Sequence, residues 1–235
     1  MIDLFITTFG RKELFEQSLK SLLNNTKREL FRLTIVVDGA GEHKYAPLSD
    51  VADTVIINKD NLGLGVSINS ALAHIKMINE YQDNNQKNFI CMVQDDVIYS
   101  PGWLEKLVKV YGLFGKKHNI GFVSGHNAPE HETTGKIQFG KDTLLLKPWI
   151  RATNMFAEKE YFLSMFPISR IDPETGRERG KPNNGMGSSC DWWFIRNHPN
   201  SICKSGRVNL VYPGLIKHEG FDRSTWLNRA LPEDK

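Results

Sequence analysis

The sequence has little cysteine and no long apolar run. Its 235 residues include three cysteines, Cys91, Cys190 and Cys203. An odd number at unrelated spacings indicates neither a disulfide framework nor a zinc cluster, and it predicts a reducing cytoplasm as the location. The opening segment is apolar for only a few residues before Arg11 and Lys12, which is too short for a secretory leader. No stretch approaches bilayer-spanning length, so we expect no transmembrane segment.

Two familiar catalytic motifs are also missing. The segment "HETTG" lacks the second histidine of a zincin helix, which excludes that class of metalloprotease. The segment "DNLGLGVS" is not followed by Gly-Lys-Ser/Thr, which excludes a phosphate loop of the NTPase type. Neither an internal repeat nor a low-complexity linker divides the chain. With 40% hydrophobic and 24% charged residues, residues 1–235 are expected to form a single domain.

Charge is distributed unevenly along the chain. The formal net charge is only +3, which by itself implies no polyanionic partner. Residues 1–100 hold 10 Lys/Arg against 13 Asp/Glu, a balance of −3, whereas residues 101–235 hold 20 against 14, a balance of +6. The second half is therefore expected to bind an acidic ligand.

Strand and helix patterns alternate over the first 125 residues. Five short apolar segments predict strands: "IDLFITTF", "RLTIVVDG", "DTVIIN", "NFICMVQDD" and "IGFVSG". Amphipathic patterns predict helices over 11–26, 65–81 and 101–114. This alternation indicates an α/β fold with a mostly parallel sheet covered on both faces, in which ligands bind beyond the carboxyl ends of the strands. Later, "DTLLLKPWIRATNMFA" predicts two further strands.

A long polar loop interrupts the second half. The run "SRIDPETGRERGKPNNGMG" is rich in Pro, Gly, Asn and alternating charges. A loop of this length in a compact domain is typical of a functional lid or of a disordered segment. We expect residues 167–187 to form a lid that orders over a bound ligand, with an ordinary solvated loop as the alternative.

The strongest local signal is an acidic pair, Asp95 and Asp96, at the end of the fourth predicted strand in "ICMVQDDVIYSPGWLEKL". Adjacent carboxylates repel each other, and a divalent cation or a ribose hydroxyl between them would relieve that repulsion. The alternative is a solvated turn in which one aspartate caps the helix that begins after Ser100 and Pro101.

This segment resembles the family 2 glycosyltransferases, whose aspartate-rich signature ends the fourth strand and is followed by "PxxL" at a helix start. Here Gln94 replaces the first aspartate of the strict Asp-x-Asp form, as in the variant with a paired Asp-Asp. The resemblance implies a GT-A fold, with a Rossmann-like mixed, mostly parallel sheet flanked by helices in one domain. It also implies that Asp96 binds Mn²⁺ or Mg²⁺ and that Asp95 contacts the nucleotide.

Other segments resemble the donor-binding parts of the same family. They are "FITTFGR", "IVVDGA" and "NKDNLGLGVSINSAL". The residues that the resemblance assigns to donor binding are Thr7, Thr8, Phe9, Asp38, Asn61, Gly63 and Asn69. Each has a structural alternative, because an aspartate after a strand often forms a turn and a glycine often serves a helix entry.

Two later segments complete the resemblance. In "GMGSSCDWWFIRN", Asp191 matches the general base, while Cys190 stands where the family usually has glutamate. The adjacent Trp192 and Trp193 are the candidate acceptor-binding residues. Because neighbours cannot share a helix face, one could pack in the core while the other flanks a sugar or a base, and core packing of both is the alternative. In "LVYPGLIKHEG", His218 matches the late histidine that binds the metal or the diphosphate.

The resemblance implies transfer of a hexosyl or pentosyl group, from a UDP-sugar or another nucleotide-sugar, to an acceptor hydroxyl with inversion. Residues 1–97 would bind the donor, and residues 98–235 would bind the acceptor and carry the catalytic base. A glycan or lipid-linked glycan is the expected acceptor. A hydroxylated base in modified DNA is an alternative, because the predicted lid contains Arg177, Arg179 and Lys181.

Two other classes share the acidic pair. A nucleotidyltransferase would carry a Gly-rich, basic loop directly after the first strand, and "TTFGRKELF" has too few glycines for it. A GT-A-like domain that binds nucleotide-sugar or glycan without turnover would not require Asp191. Release of a nucleotide from sugar nucleotides distinguishes these possibilities.

Overall fold

Eleven strands are found in the part of the chain that the computed structural model describes, which comprises residues 1–39, 47–81, 89–172, 176, 190 and 193–219. Their bounds are β1 (Ile2–Thr8), β2 (Phe31–Asp38), β3 (Thr54–Asn58), β4 (Phe89–Gln94), β5 (Val97–Tyr99), β6 (Ile120–Ser124), β7 (Gly135–Phe139), β8 (Asp142–Lys147), β9 (Asn154–Glu158), β10 (Val208–Val211) and β11 (Ile216–His218). Nine of them form one sheet, and β5 pairs with β11 in a second.

The first half of the large sheet is parallel, in the order β3-β2-β1-β4. Every residue of β1 and β2 is buried, which explains why their sequences are nearly continuous apolar runs. Because the four strands point the same way, their carboxyl ends meet at one edge of the sheet. Thr8, Asp38 and Gln94 end β1, β2 and β4 at this edge.

Helices are interleaved with these strands, namely α1 (Lys12–Asn25), α2 (Leu64–Tyr81), α3 (Trp103–Phe114), α4 (Lys159–Leu163) and α5 (Ile202–Ser205). Single turns of 3₁₀ helix lie at Arg28–Leu30 and Leu48–Asp50, and a π-helical turn at Trp193–Asn197. The apolar stripe of α1 is buried, including Leu14, Leu19 and Leu22. Burial of such a stripe against the sheet stabilises a helix that its propensity alone would leave marginal.

The second half of the sheet is mixed. It continues from β4 in the order β9-β6-β10-β8-β7. Strand β9 is antiparallel to both β4 and β6, so β6 runs in the direction of β4, and β10 pairs parallel with β6. The ends of β6 and β10 therefore lie at the same edge as those of β1, β2 and β4. The predicted α/β fold with a mixed sheet is confirmed, and the segment 142–157 contains the two strands predicted for it.

The small sheet brings the end of the described chain back to the acidic pair. Strand β11 is antiparallel to β5, with His218 in register with Val97. The backbone N–H of Glu219 donates to the carbonyl oxygen of Asp96 at 2.8 Å. A segment distant in sequence thus covers the turn between β4 and β5.

Within the described residues, no helix combines the length and the apolar character needed to span a bilayer. Most of the predicted lid, residues 173–175 and 177–187, lies outside the described part of the chain.

Candidate functional site

Asp95 and Asp96 occupy the turn between β4 and β5, at the carboxyl edge of the parallel strands. The two residues are almost completely buried, with 1% and 2% of their surface exposed. A solvated turn, the alternative raised by the sequence, does not describe this environment. Two adjacent buried carboxylates repel each other, so the surrounding residues must compensate their charge.

Arg11 supplies much of that compensation. Its Nη1 donates to Oδ2 of Asp96 at 2.5 Å, and its Nη2 donates to Oδ1 of Asp95. The hydroxyl of Thr8 donates to the other oxygen of Asp95 at 2.8 Å. Arg11 directly precedes α1, and 20% of its side chain is exposed. One guanidinium therefore joins both carboxylates and remains accessible to solvent.

Arg11 is not among the site residues predicted from the sequence. A signal was present, because Arg11 follows Thr8, the last residue of β1, by only three positions. A basic residue so close to the carboxyl end of a central strand is within reach of ligands and side chains at that edge.

The two carboxyl groups are affected differently by their surroundings. Burial raises the pKa of Asp95 to about 6, against the opposing effect of Arg11. Burial also acts to raise the pKa of Asp96, but the hydrogen bond from His218 and the charge of Arg11 outweigh it, so the pKa of Asp96 is lowered. For Arg11, burial lowers the pKa and the charges of both aspartates raise it, with a net increase. Asp96 is thus the carboxyl group held more firmly in its charged form.

His218 lies beside the acidic pair. Its Nε2 is 3.2 Å from Oδ2 of Asp96. The ring of His126 lies close by, with centroids 5.7 Å apart. Burial and the neighbouring His218 lower the pKa of His126, which favours its neutral form. A depression of ≈ 590 Å³ adjoins these rings, and its wall includes His126, Asn127, Lys217 and His218.

The donor set at this edge fits a divalent cation. Carboxylate oxygens and an imidazole nitrogen are suitable ligands for Mn²⁺, and Mg²⁺ also accepts the carboxylates. Oδ1 of Asp96 is buried and has no hydrogen-bond partner among the residues that the structure describes. Within the described residues, no three or more His, Cys, Asp or Glu side chains are arranged as a complete metal site. An ion bound by Asp96 and His218 would therefore need further ligands, and diphosphate oxygens have the required chemistry.

Asp38 is at the same edge, and its carboxylate shapes the loop between β3 and α2. It accepts hydrogen bonds from the backbone N–H groups of Leu62 at 3.0 Å and Gly63 at 2.8 Å. The side-chain amide of Asn58 donates to it at 3.0 Å. Its predicted contact with the nucleobase stays a prediction, while its role in fixing the loop that carries Asn61 and Gly63 is a structural fact.

Gly39 makes this close approach possible. Its φ is +69°, and a Cβ at this position would lie 2.3 Å from the backbone nitrogen of Asn61. Any other residue would therefore be strained and would push the β3–α2 loop away from β2. The packing of this loop against the end of β2 thus depends on a glycine at position 39.

The remaining predicted donor residues lie around this edge. Thr7 and Thr8 are buried at the end of β1, and Phe9 follows them half-buried. Asn61 is exposed, and its Oδ1 accepts from the backbone N–H of Gly63. Asn69 lies on α2, where its side-chain amide bonds to the backbone of Ile168. The structure brings these residues to one region, and their contacts with a donor stay predictions.

The candidate base and most candidate acceptor residues lie outside the described part of the chain. These are Asp191, Trp192, Arg177, Arg179 and Lys181. The flanking residues are described: Cys190 is buried, and Trp193 donates its indole N–H to the carbonyl of Met165 at 2.7 Å. The ring of Trp193 also packs against His198, with centroids 5.1 Å apart. Its indole is thus used in packing, and its contact with an acceptor stays a prediction.

Comparison with known proteins agrees with this geometry. The family model described as "Glycosyl transferase family 2" matches residues 3–197. No curated protein matches the chain. Solved structures of glycosyltransferases do match, and they cover most of this chain.

Three of these structures illustrate the relationship. The mannosyltransferase PcManGT from Pyrobaculum calidifontis, in complex with GDP-Man and Mn²⁺, has a TM-score of 0.56 at 13% identity, covering 91% of this chain and 55% of its own. S. aureus TarS 1-349 in complex with UDP-GlcNAc has a TM-score of 0.53 at 12% identity, covering 91% and 56%. GalNAc-T7 with UDP, GalNAc and Mn²⁺ has a TM-score of 0.59 at 12% identity, covering 93% and 43%.

At this level of identity the matches show a shared fold and nothing finer. The chain spans between 35% and 58% of the length of the glycosyltransferase chains compared with it. Activities that depend on the remaining parts of those proteins do not transfer to it.

Proposed function

The chain belongs to glycosyl transferase family 2 and has the GT-A fold, and from this premise we propose that it transfers a sugar from a nucleotide-sugar to an acceptor hydroxyl, with Mn²⁺ or Mg²⁺ as cofactor. The observation that carries the proposal is the buried acidic pair at the carboxyl end of β4, with His218 at 3.2 Å from Asp96. Such a pair at the ligand-binding edge of an α/β sheet fits a cation and a diphosphate better than any structural purpose.

Asp96 and His218 are the proposed metal ligands. When bound, the ion would offset the charge that develops on the leaving diphosphate. Asp95, which is held by Thr8, would contact the nucleotide or its ribose. The solved relatives PcManGT and GalNAc-T7 contain Mn²⁺, which supports a divalent ion for this chain. UDP is the proposed nucleotide.

Donor binding is assigned to the region around the ends of β1, β2 and α2. Thr7, Thr8 and Phe9 would border the base. The loop containing Asn61 and Gly63 would run along the nucleotide, in the position that Asp38 fixes. Residues 1–97 would thus form the donor half, and residues 98–235 the acceptor and catalytic half.

Asp191 is the proposed general base. The acceptor hydroxyl oxygen would attack the anomeric carbon while the bond from that carbon to the diphosphate oxygen breaks. The hydroxyl proton would pass to the carboxylate of Asp191, and the nucleoside diphosphate would leave with the bonding electrons. A hydroxyl located between base and donor attacks from the face opposite the leaving group, so the configuration at carbon would invert.

A glycan or lipid-linked glycan is the proposed acceptor. Of the adjacent tryptophans that follow the base, Trp192 would flank the acceptor sugar through its ring face, while Trp193 packs against His198. The basic residues Arg177, Arg179 and Lys181 precede the base and would favour an anionic acceptor. Modified DNA, which is anionic throughout, is the alternative that this charge favours.

The proposal is tested by measuring nucleotide release from a panel of UDP- and GDP-sugars with Mn²⁺ and with EDTA. We expect one sugar nucleotide to release its nucleoside diphosphate in a metal-dependent manner, and Asp50→Asn, an exposed change outside the site, to leave the rate unchanged. A nucleotidyltransferase would instead form pyrophosphate from a nucleoside triphosphate and a sugar phosphate. Tight donor binding without release, in the presence of glycan and DNA acceptors, would show a non-catalytic binder and refute transfer.

A further inference from the structure

We propose that Arg11 is an exchangeable counter-ion of the acidic pair: it holds Asp95 and Asp96 until a divalent cation binds, and its guanidinium then binds the donor diphosphate. This inference rests on the proposed function, because it assigns a further residue to the same site. It adds a binding residue that the sequence patterns did not identify.

The contacts at the site show why the exchange is required. Arg11 reaches both carboxylates, through Nη1 to Asp96 and through Nη2 to Asp95. Oδ2 of Asp96, which accepts from Arg11, is also the oxygen 3.2 Å from Nε2 of His218. A cation bound between Asp96 and His218 would approach the same oxygen. The guanidinium and the cation therefore compete for one set of ligands.

Repulsion between the two buried carboxylates explains the role of an arginine at position 11. Without any cation, two adjacent carboxylates that are 1% and 2% exposed would repel each other in a poorly solvated environment. Arg11 relieves this repulsion in the metal-free protein. A divalent cation would by itself balance the charge of the two carboxylates. The positive charge of Arg11 would then be in excess.

The released guanidinium is well placed for a diphosphate. Arg11 directly precedes α1, at the edge where β1 ends, and 20% of its side chain is already exposed. A small rotation of the Arg11 side chain toward solvent would place its planar guanidinium in the space beyond the acidic pair. Guanidinium groups bind phosphate oxygens through paired, charge-assisted hydrogen bonds, so the donor would restore the contacts that Arg11 loses.

Mn²⁺ binding to the free protein tests the exchange. In titrations followed by electron paramagnetic resonance, Arg11→Gln is expected to bind Mn²⁺ on the order of tenfold more tightly than wild type, because the competitor is gone. Arg11→Lys keeps the positive charge but not the planar, forked guanidinium, so its Mn²⁺ affinity should lie between those of wild type and Arg11→Gln. Lys12→Gln is the control, since it removes the neighbouring exposed positive charge, which pairs with Glu16 on α1, and it should change the affinity by less than about threefold.

UDP binding tests the other part of the inference, that the guanidinium of Arg11 binds the diphosphate once the cation is present. With Mn²⁺ at saturation, calorimetry should show that Arg11→Gln binds UDP roughly tenfold more weakly than wild type. Tighter metal binding together with weaker UDP binding is a combination that general damage to the site would not produce. Equal or weaker Mn²⁺ binding by Arg11→Gln, or unchanged UDP binding, would overturn the inference.

Thermal unfolding keeps the test informative if the variant is unstable. Arg11→Gln should melt below wild type in EDTA and recover more than wild type when Mn²⁺ is added. If it does not fold in EDTA, Arg11→Lys should show the same metal-dependent recovery to a smaller extent, and absence of that recovery contradicts the proposal. Failure of sugar transfer by wild type would refute the proposed function while leaving these binding results intact, so the two ideas fail separately.

Discussion

The side-chain amide of Asn69 forms two hydrogen bonds with the backbone of Ile168. Its Nδ2 donates to the carbonyl oxygen at 2.9 Å, and its Oδ1 accepts from the N–H at 2.7 Å. Ile168 is buried and lies 99 positions away along the chain. Helix α2 therefore fixes the first residues of the predicted lid.

The first prediction concerns this link. Asn69→Ala would leave both backbone groups of Ile168 without these partners, so we expect a loss of about 1–3 kcal/mol in the free energy of unfolding. Urea denaturation measures this. Ser70→Ala is the matched control, because the Ser70 hydroxyl donates to the carbonyl of Val66 within the same helix, and it should change stability by less than about 0.5 kcal/mol.

The same variant, Asn69→Ala, distinguishes a structural role of the amide from the donor contact that the family resemblance implies. If the amide serves only to hold Ile168, donor affinity of the folded Asn69→Ala protein should equal that of wild type. A large loss of donor affinity without a loss of stability would instead assign the amide to the nucleotide.

The second prediction concerns the acidic pair. Asp96→Asn removes a charged oxygen ligand while keeping the shape of the side chain, so Mn²⁺-dependent donor binding should be largely lost. Calorimetry with a sugar nucleotide measures this, with Asp50→Asn as the control for loss of an exposed carboxylate. Equal donor affinity of wild type in EDTA and in Mn²⁺ would argue against a metal at this site.

The third prediction concerns Asp191. Asp191→Asn should fold and bind donor normally, because a general base acts on the acceptor proton in the transition state. The expected loss is roughly a hundredfold or more in kcat, with little change in donor affinity. Steady-state kinetics and donor titration separate the two effects, and near-normal turnover by this variant would remove Asp191 from the mechanism.

The fourth prediction concerns the acceptor. If the acceptor is nucleic acid, replacing Arg177, Arg179 and Lys181 together with Ala should weaken acceptor binding and reduce its salt dependence, because fewer counterions are released from phosphates. Donor hydrolysis should be unaffected. For a neutral glycan the triple change should alter little. Binding at two salt concentrations distinguishes these cases, and an unchanged salt slope for a DNA acceptor would refute a phosphate-binding role for these side chains.

The fifth prediction concerns stability away from the site. Asp3, at the start of β1, is buried and accepts from Nε of Arg32 at 2.9 Å and from Nδ2 of Asn79 at 3.0 Å. Asp3→Asn would remove the buried negative charge that faces the Arg32 guanidinium, so we expect a loss of about 3–5 kcal/mol.

The control for this prediction is an exposed ion pair. Lys76 and Glu80 are i,i+4 partners on α2 with both side chains more than half exposed. Glu80→Gln should cost less than about 0.5 kcal/mol. Equal effects of the two substitutions on urea unfolding would contradict the importance assigned to burial at Asp3.

Much of the fold could be predicted because periodicity is a local property. The apolar runs of β1 and β2, and the stripes of α1 and α3, report burial directly. Strand β7 was not predicted, although Lys136, Ile137, Gln138 and Phe139 alternate in polarity and exposure. The alternation is short, and its pairing with β8 is what makes it a strand.

The sequence by itself determined that polar groups end the central strands, that Asp95 and Asp96 form the acidic pair, and that His218 belongs to the late segment "LVYPGLIKHEG". Only the tertiary structure decided which groups meet. Arg11 lies 84 positions from Asp95, and His218 lies on β11, which pairs with β5 more than a hundred residues earlier. Charge compensation depends on distances of a few ångströms, and those distances are set by sheet order and strand pairing rather than by local pattern.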